Sequence, residues 1–153
     1  MKPEYKNILF CSDFSPGADY AFFTALDLAE RYGARLSLIH VLPETDKYAD
    51  SPPEDREAGP GTTGGSEELE KTRQKLEDRY SHRLGGYANY EFRVLRGVPI
   101  VEIVRFARDR EIDFIVLGAA GSSSRNKLHF GSTAENVARR ATCTVMCIRE
   151  PQR

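Results

Sequence analysis

The wholly apolar run Phe114-Ile115-Val116-Leu117 ends on Gly118-Ala119-Ala120-Gly121, and nine residues further on Gly131-Ser132-Thr133 opens a helical pattern at Ala134, Val137, Ala138 and Ala141. A short apolar run followed by glycine and then by 3.6-residue periodicity reads as a strand buried on both faces, a loop and a helix. A strand of that kind needs helices above and below it, which points to a parallel sheet inside a layered α/β domain. The same three parts can build an anion site. Glycine permits positive φ and close approach of backbone N–H groups, and a helix entered at Ser132 or Thr133 adds unpaired amides at the positive end of its dipole. Glycines after a strand are also ordinary turn formers. No lysine precedes Ser132, so the spacing is not that of the P-loop, and it is not G-x-G-x-x-G.

The rest of the chain repeats the alternation. Ile8 to Ser12 is an apolar run closed by Asp13, and Ser15-Pro16 then starts a helix whose apolar positions run from Ala18 through Phe22, Ala25 and Ala29 to Tyr32. Serine caps the orphan amides, proline suits the first helical position and Gly33 is a natural stop. Leu36 to Leu42 is apolar on both faces, as in a central parallel strand. His40 within it reads as a hydrogen-bonded strand residue and not a ligand. Residues 43–66 change to proline, glycine, threonine and acidic residues, a composition that favours a flexible loop within a single domain spanning 1–153. A helix is expected from about Ser66 to Gly85, with a narrow stripe at Leu69, Leu76, Tyr80 and Leu84 and a solvated charged face. Tyr90, Phe92 and Val94 alternate with Glu91 and Arg93, which suits a strand near the sheet edge. Pro99 then opens an amphipathic helix through Ile100, Ile103, Val104 and Ala107, and Val145 to Ile148 supplies a fifth strand.

A length of 153 residues fits one domain, and a net charge of -1 gives no global field for nucleic acid or an anionic membrane. No apolar run is long enough to span a bilayer, and the first residues lack the apolar core of a signal peptide, so a cytoplasmic location is the expectation. Cys11, Cys143 and Cys147 form no C-x-x-C pair and read as reduced core thiols.

The spacing G-x2-G-x9-G-[ST] is similar to the ATP-binding signature of the universal stress protein family, with Gly118, Gly121, Gly131 and Ser132 at its fixed positions. The resemblance extends to Ile8 through Ser15, to Gly97-Val98-Pro99 and to Asp113 through Gly118, and covers nearly the whole chain outside 43–66. It implies a three-layer sandwich like that of the adenine nucleotide alpha hydrolases, with a five-stranded parallel sheet in the order 3-2-1-4-5. In such sheets ligands bind beyond the carboxyl ends of the strands where the order reverses. That crevice would lie between the first and fourth strands, which end at Asp13 and Gly118.

By the same resemblance, the amides around Gly118, Gly121, Gly131 and Ser132 hold the phosphates, with the Ser132 and Thr133 hydroxyls as further donors. Asp13 would sit near the ribose or share a Mg²⁺ with Ser132, since a carboxylate tolerates phosphate only across a cation or hydroxyl; capping of the next helix is its other reading. Val41 corresponds to the position whose backbone reads the adenine edge, although its side chain suggests only core. Gly97 would line the ribose side, and a turn before Pro99 explains it equally well. Arg125 and Lys127 could neutralise phosphates or be surface charges. His129 and the serines at 122–124 lack a recognisable base and orienting partner. The resemblance implies an ATP-binding regulator or switch with at most slow hydrolysis, AMP or ADP being the other candidate ligands. It also implies a homodimer formed through the last strand, Thr144 to Ile148. A phosphohydrolase or nucleotidyl transferase on the same fold is one alternative, and a nucleotide-free dimeric interaction module is another.

Overall fold

The computed structural model describes residues 1–44, 63–120 and 130–151. Five parallel strands, β1 (Asn7–Cys11), β2 (Arg35–Leu42), β3 (Tyr90–Arg96), β4 (Phe114–Gly118) and β5 (Thr144–Ile148), form one sheet in the order β3-β2-β1-β4-β5. This is the expected order 3-2-1-4-5. Four helices connect them: α1 (Pro16–Tyr32), α2 (Thr63–Tyr80, continued by a 3₁₀ turn at Ser81–Leu84), α3 (Pro99–Asp109) and α4 (Ser132–Arg140).

Side chains of β1 alternate between two cores. Ile8 and Phe10 join Ala18, Phe22, Ala25, Leu76 and Tyr80 beneath α1 and α2, whereas Leu9 joins Ile39, Ile103, Phe106, Ile115 and Val137 beneath α3 and α4. Because the three inner strands, β2, β1 and β4, bury both faces, their runs contain few polar residues. Right-handed crossovers place α1 and α2 on one face while the chain moves from β1 to β3, and place α3 and α4 on the other as it returns to β4 and β5.

The ends of α1 follow its sequence signals. Ser15 is the N-cap, its Oγ accepts the Ala18 N–H at 3.1 Å, and Pro16 occupies the first turn. At the far end Gly33 has φ 60° and ψ 31°, a left-handed conformation that turns the chain into β2. Helix α2 begins at Thr63, a few residues before the expected Ser66, so the last part of the 43–66 segment is helical. The remainder of that segment, 45–62, lies outside the described residues. Nor is α2 solvated along all its charged positions: Arg79 makes a bidentate pair with Asp19 of α1 at 2.7 and 2.6 Å. Among the described residues no helix is long and apolar enough to cross a membrane.

Gly33→Ala should lower stability by about 1 kcal/mol or more, because a Cβ penalises the left-handed region even where, as here, no neighbour lies within 4 Å. Gly86→Ala, equally uncrowded and without a positive φ, should stay within about 0.5 kcal/mol of the parent. Urea denaturation of the two variants checks the contrast.

Candidate functional site

The crevice arises from unequal strand lengths. β1 pairs with β2 only as far as Cys11 opposite Ile39, whereas β2 continues beside β3 to Leu42 opposite Arg96. The Ile39 carbonyl points towards β1 and accepts the Ser12 N–H at 2.9 Å, while the Leu42 carbonyl points the other way and accepts the Gly97 N–H at 2.9 Å. Strand alternation therefore turns the N–H and C=O of Val41 towards the side that β1 has vacated. Val41 is buried as a side chain, yet its backbone edge faces the opening. A cavity of about 390 Å³ occupies this space, bounded by Ile39, His40, Val41 and Pro43 on the β2 side, Ser12 and Asp13 just beyond β1, Leu117 to Ala120 at and beyond the end of β4, and Gly131 to Ala134 at the start of α4. Pro99 and Ile103 of α3 close its apolar wall.

The start of α4 differs from that of α1. Its N-cap is Gly131, which has no side chain to cap the first turn, and Ser132, Thr133 and Ala134 line the cavity. First-turn amides have no intrahelical acceptor, so this helix mouth offers donors and a positive dipole end to an anion. The Gly131 amide is not one of those donors: it gives its hydrogen to the Ala119 carbonyl at 2.6 Å, as Ala119 does to Ile148 at 2.8 Å. Gly131 therefore ties the start of α4 to the residue after β4 instead of facing a ligand with its N–H.

Gly118 also serves packing. A Cβ there would meet the backbone of Gly17 at 3.2–3.3 Å and Ala18 N at 3.4 Å, so the first turn of α1 crosses the end of β4 at a distance that only glycine permits without displacement. Neither Gly118 nor Gly131 has a positive φ. Close approach explains Gly118.

Asp13 lies exposed at the cavity rim, and its Oδ1 accepts the Ser15 N–H at 3.0 Å, which steadies the entry to α1. The helix-entry role and a place at the cavity thus coincide. Phe14 follows with φ 63°, a left-handed conformation outside glycine, and its N–H donates to Ser12 Oγ at 3.0 Å. His40 Nδ1 lies 2.7 Å from the Ser12 carbonyl and, as the donor, leaves Nε2 as the acceptor nitrogen of the neutral ring. Burial, with further help from Lys75, holds the His40 pKa below its ordinary value despite the Ser12 carbonyl and Asp13. Burial likewise pushes the Cys11 thiol of the cavity wall up, which keeps it protonated.

Among the expected site residues, Asp13, Val41, Gly118, Gly131, Ser132 and Thr133 come together around this cavity. Gly97 does not line it; with φ 146°, and with a hypothetical Cβ only 2.9 Å from the Glu102 side chain, it forms the turn into α3. Gly121 and Arg125, with Lys127, His129 and the serines at 122–124, lie outside the described residues. Asp13 and Ser132 both border the cavity, and their oxygens suit Mg²⁺. They would supply at most part of its shell, with ligand phosphate and water completing it, and no group of three or more His, Cys, Asp or Glu side chains among the described residues could hold a metal alone. Sequence patterning gave no reason to single out Ser12 or Tyr80, whose hydroxyls meet at 2.6 Å across 68 residues of chain.

The family model described as the universal stress protein family matches residues 4–149. A putative universal stress protein of Staphylococcus haemolyticus is 31% identical over 146 residues, covering 95% of this chain and 85% of that one. Among solved structures, the universal stress protein UspA from Lactobacillus plantarum superposes with a TM-score of 0.68 at 29% identity, over 97% of this chain and all of its own. The universal stress protein from Archaeoglobus fulgidus in complex with dAMP gives 0.60 at 24% identity, covering 96% of this chain and 100% of that one.

The lowered His40 pKa fixes the sign of a pH effect. The unfolded chain takes up this proton at a pH where the folded protein still refuses it, so stability falls as the pH drops below about 6.5 towards the folded value. His40→Gln should flatten the melting-temperature profile between about pH 7 and pH 5 relative to the parent. Equal slopes for the two proteins would show that His40 contributes none of it.

Proposed function

This chain belongs to the universal stress protein family, and on that premise we propose that its cavity binds an adenine nucleotide, ATP or its shorter relatives ADP and AMP, and that occupancy makes the protein a regulator or switch in the stress response. The observation that carries this reading is the pairing of two complementary ends in one cavity: the backbone edge of Val41 beyond the last β1–β2 pair and the glycine-capped mouth of α4. Adenine presents a donor beside an acceptor on one edge, which a backbone C=O and N–H can match, and apolar Ile39 and Ile103 stand beside it. Phosphate suits the first-turn amides and hydroxyls of Ser132 and Thr133. Asp13 then meets a ribose hydroxyl or shares a Mg²⁺ with Ser132, and the proposal includes Gly121 and Arg125 as further phosphate-binding residues. The dAMP bound by the Archaeoglobus fulgidus neighbour supports the class of ligand.

We propose binding with at most slow turnover. Of the acid–base groups in the described lining, Asp13 is engaged through Oδ1 by the Ser15 N–H, and His40 is fixed through Nδ1 on the Ser12 carbonyl with Nε2 left as an acceptor, so His40 is the residue an enzymatic reading would have to use. The three cysteines are free thiols, which supports a reducing compartment such as the cytoplasm. We also propose a homodimer through β5, the strand at one end of the sheet, whose residues Val145 to Ile148 are only half-buried in the single chain.

In a thermal-shift panel of ATP, ADP, AMP and dAMP with and without Mg²⁺, a ligand at about 100 times its dissociation constant should add about 2.7 kcal/mol and raise the melting temperature by several degrees. No shift with any adenine nucleotide would overturn the reading, and phosphate release at several turnovers per second would replace a switch with an enzyme. Light scattering at micromolar concentration should give twice the chain mass of 17.2 kDa. A monomer there would remove the β5 dimer.

A further inference from the structure

Between the cavity and α2 lies a continuous chain of hydrogen bonds. Ser12, 5% exposed, spends each of its polar groups: its N–H goes to the Ile39 carbonyl, its carbonyl takes His40, and its Oγ accepts the Phe14 N–H while contacting Tyr80 OH. Tyr80, fully buried, also contacts Asp19 Oδ1 at 2.9 Å. Burial would raise the Asp19 pKa, but hydrogen bonds from Arg79 and Tyr80 outweigh it and hold the carboxyl ionised. An ionised carboxylate only accepts, so the single Tyr80 proton points at Asp19 and the Ser12 hydroxyl must donate to Tyr80. That orientation leaves a Ser12 lone pair for the Phe14 N–H. The direction of every bond is thereby set, from Ser12 through Tyr80 to Asp19, with Arg79 completing it at 2.7 and 2.6 Å.

The segment under this control is the one that carries Asp13. Phe14 occupies a left-handed conformation that costs a residue with a Cβ, so its neighbours must over-determine it. Three contacts do so: the N–H bond to Ser12, the His40 ring with centroids 4.4 Å apart, and Lys75 of α2 with Nζ 4.1 Å from the ring centroid. We propose that Tyr80 is a positioning residue for the nucleotide: through the hydroxyl of Ser12 it holds the left-handed turn at Phe14 and so sets Asp13 on the cavity rim. This rests on the adenine-nucleotide reading of the cavity. Helix α2 thus belongs functionally to the site without touching the ligand.

Tyr80→Phe tests it, since the ring contacts with Phe10 and Phe22 at 5.3 and 5.0 Å are kept and only the hydroxyl goes. Calorimetric titration with AMP should show affinity weakened by about tenfold, the scale of one lost hydrogen bond. Hydrogen exchange read by NMR should show the Phe14 amide losing protection while the Ala18 amide, capped independently by Ser15, keeps it. Ser12→Ala removes both the bond to Tyr80 and the acceptor of the Phe14 N–H, should give both effects at least as strongly, and carries the link from the Phe14 turn to affinity if Tyr80→Phe does not fold. Unchanged AMP affinity overturns the proposal, as does weakened affinity with Phe14 still protected or with Ala18 equally deprotected. If the parent protein binds no adenine nucleotide, the ligand reading itself fails and the proposal falls with it; if the parent binds and the variants bind equally well, only the role of Tyr80 is lost.

Discussion

The constraint on which the rest depends is the reversal of direction at β1. The chain leaves β1 towards β2 on one face and returns to β4 on the other, so α1 and α4 diverge from adjacent strand ends and neither covers them. The early termination of β1 deepens this gap, and the close crossing of Gly17 over Gly118 limits it. Asp13, the Val41 backbone and the mouth of α4 converge because each lies at or just beyond the end of an element at this seam. No single side chain builds the site; the topology does, and the side chains finish it.

The polar groups near the seam are held inside that frame. Among the described residues no buried side-chain nitrogen or oxygen lacks a partner, although Ser12, Ser15 and Ser37 are buried and Tyr80 is wholly enclosed. An unsatisfied hydroxyl at such depth would cost about 1–3 kcal/mol. Satisfaction here is mutual, because the carboxylate of Asp19 dictates the proton on Tyr80, which dictates the proton on Ser12. Fixing two hydroxyl rotors in this way gives the loop one conformation where serine alone would allow several.

Local structure was legible in the sequence wherever it rested on periodicity or on one residue's backbone chemistry. Ser15-Pro16 and Gly33 bracketed α1, the two-faced apolar runs marked the inner strands, and the Tyr90 to Val94 alternation marked the edge strand β3. Within the site, Asp13 and Gly118 were visible as strand-ending residues, while Val41 needed the family resemblance because the role proposed for it would be carried by main-chain atoms common to all residues. The tasks of individual glycines were not legible. Whether an amide faces a cavity or a carbonyl is decided by neighbours such as Ala119, and whether a missing Cβ matters is decided by a distant segment such as Gly17. The α2 charges misled for a related reason: Arg79 sits among solvated residues in the sequence, but its partner Asp19 lies 60 positions away on another helix.

The overhang of β2 beyond β1 has a consequence for how selectivity is encoded. In the proposed site, a ring recognised by main-chain atoms at Val41 would be read by the register of one strand against another, Val41 standing opposite Leu95, and not by the identity of any amino acid. Such a reader is silent to substitution of the side chain at that position yet is erased by a slip of one residue, which would turn the neighbouring peptide's blank side to the opening. On that proposal, the information distinguishing one heterocycle from another would be stored in strand length, a property of the architecture that no single codon specifies.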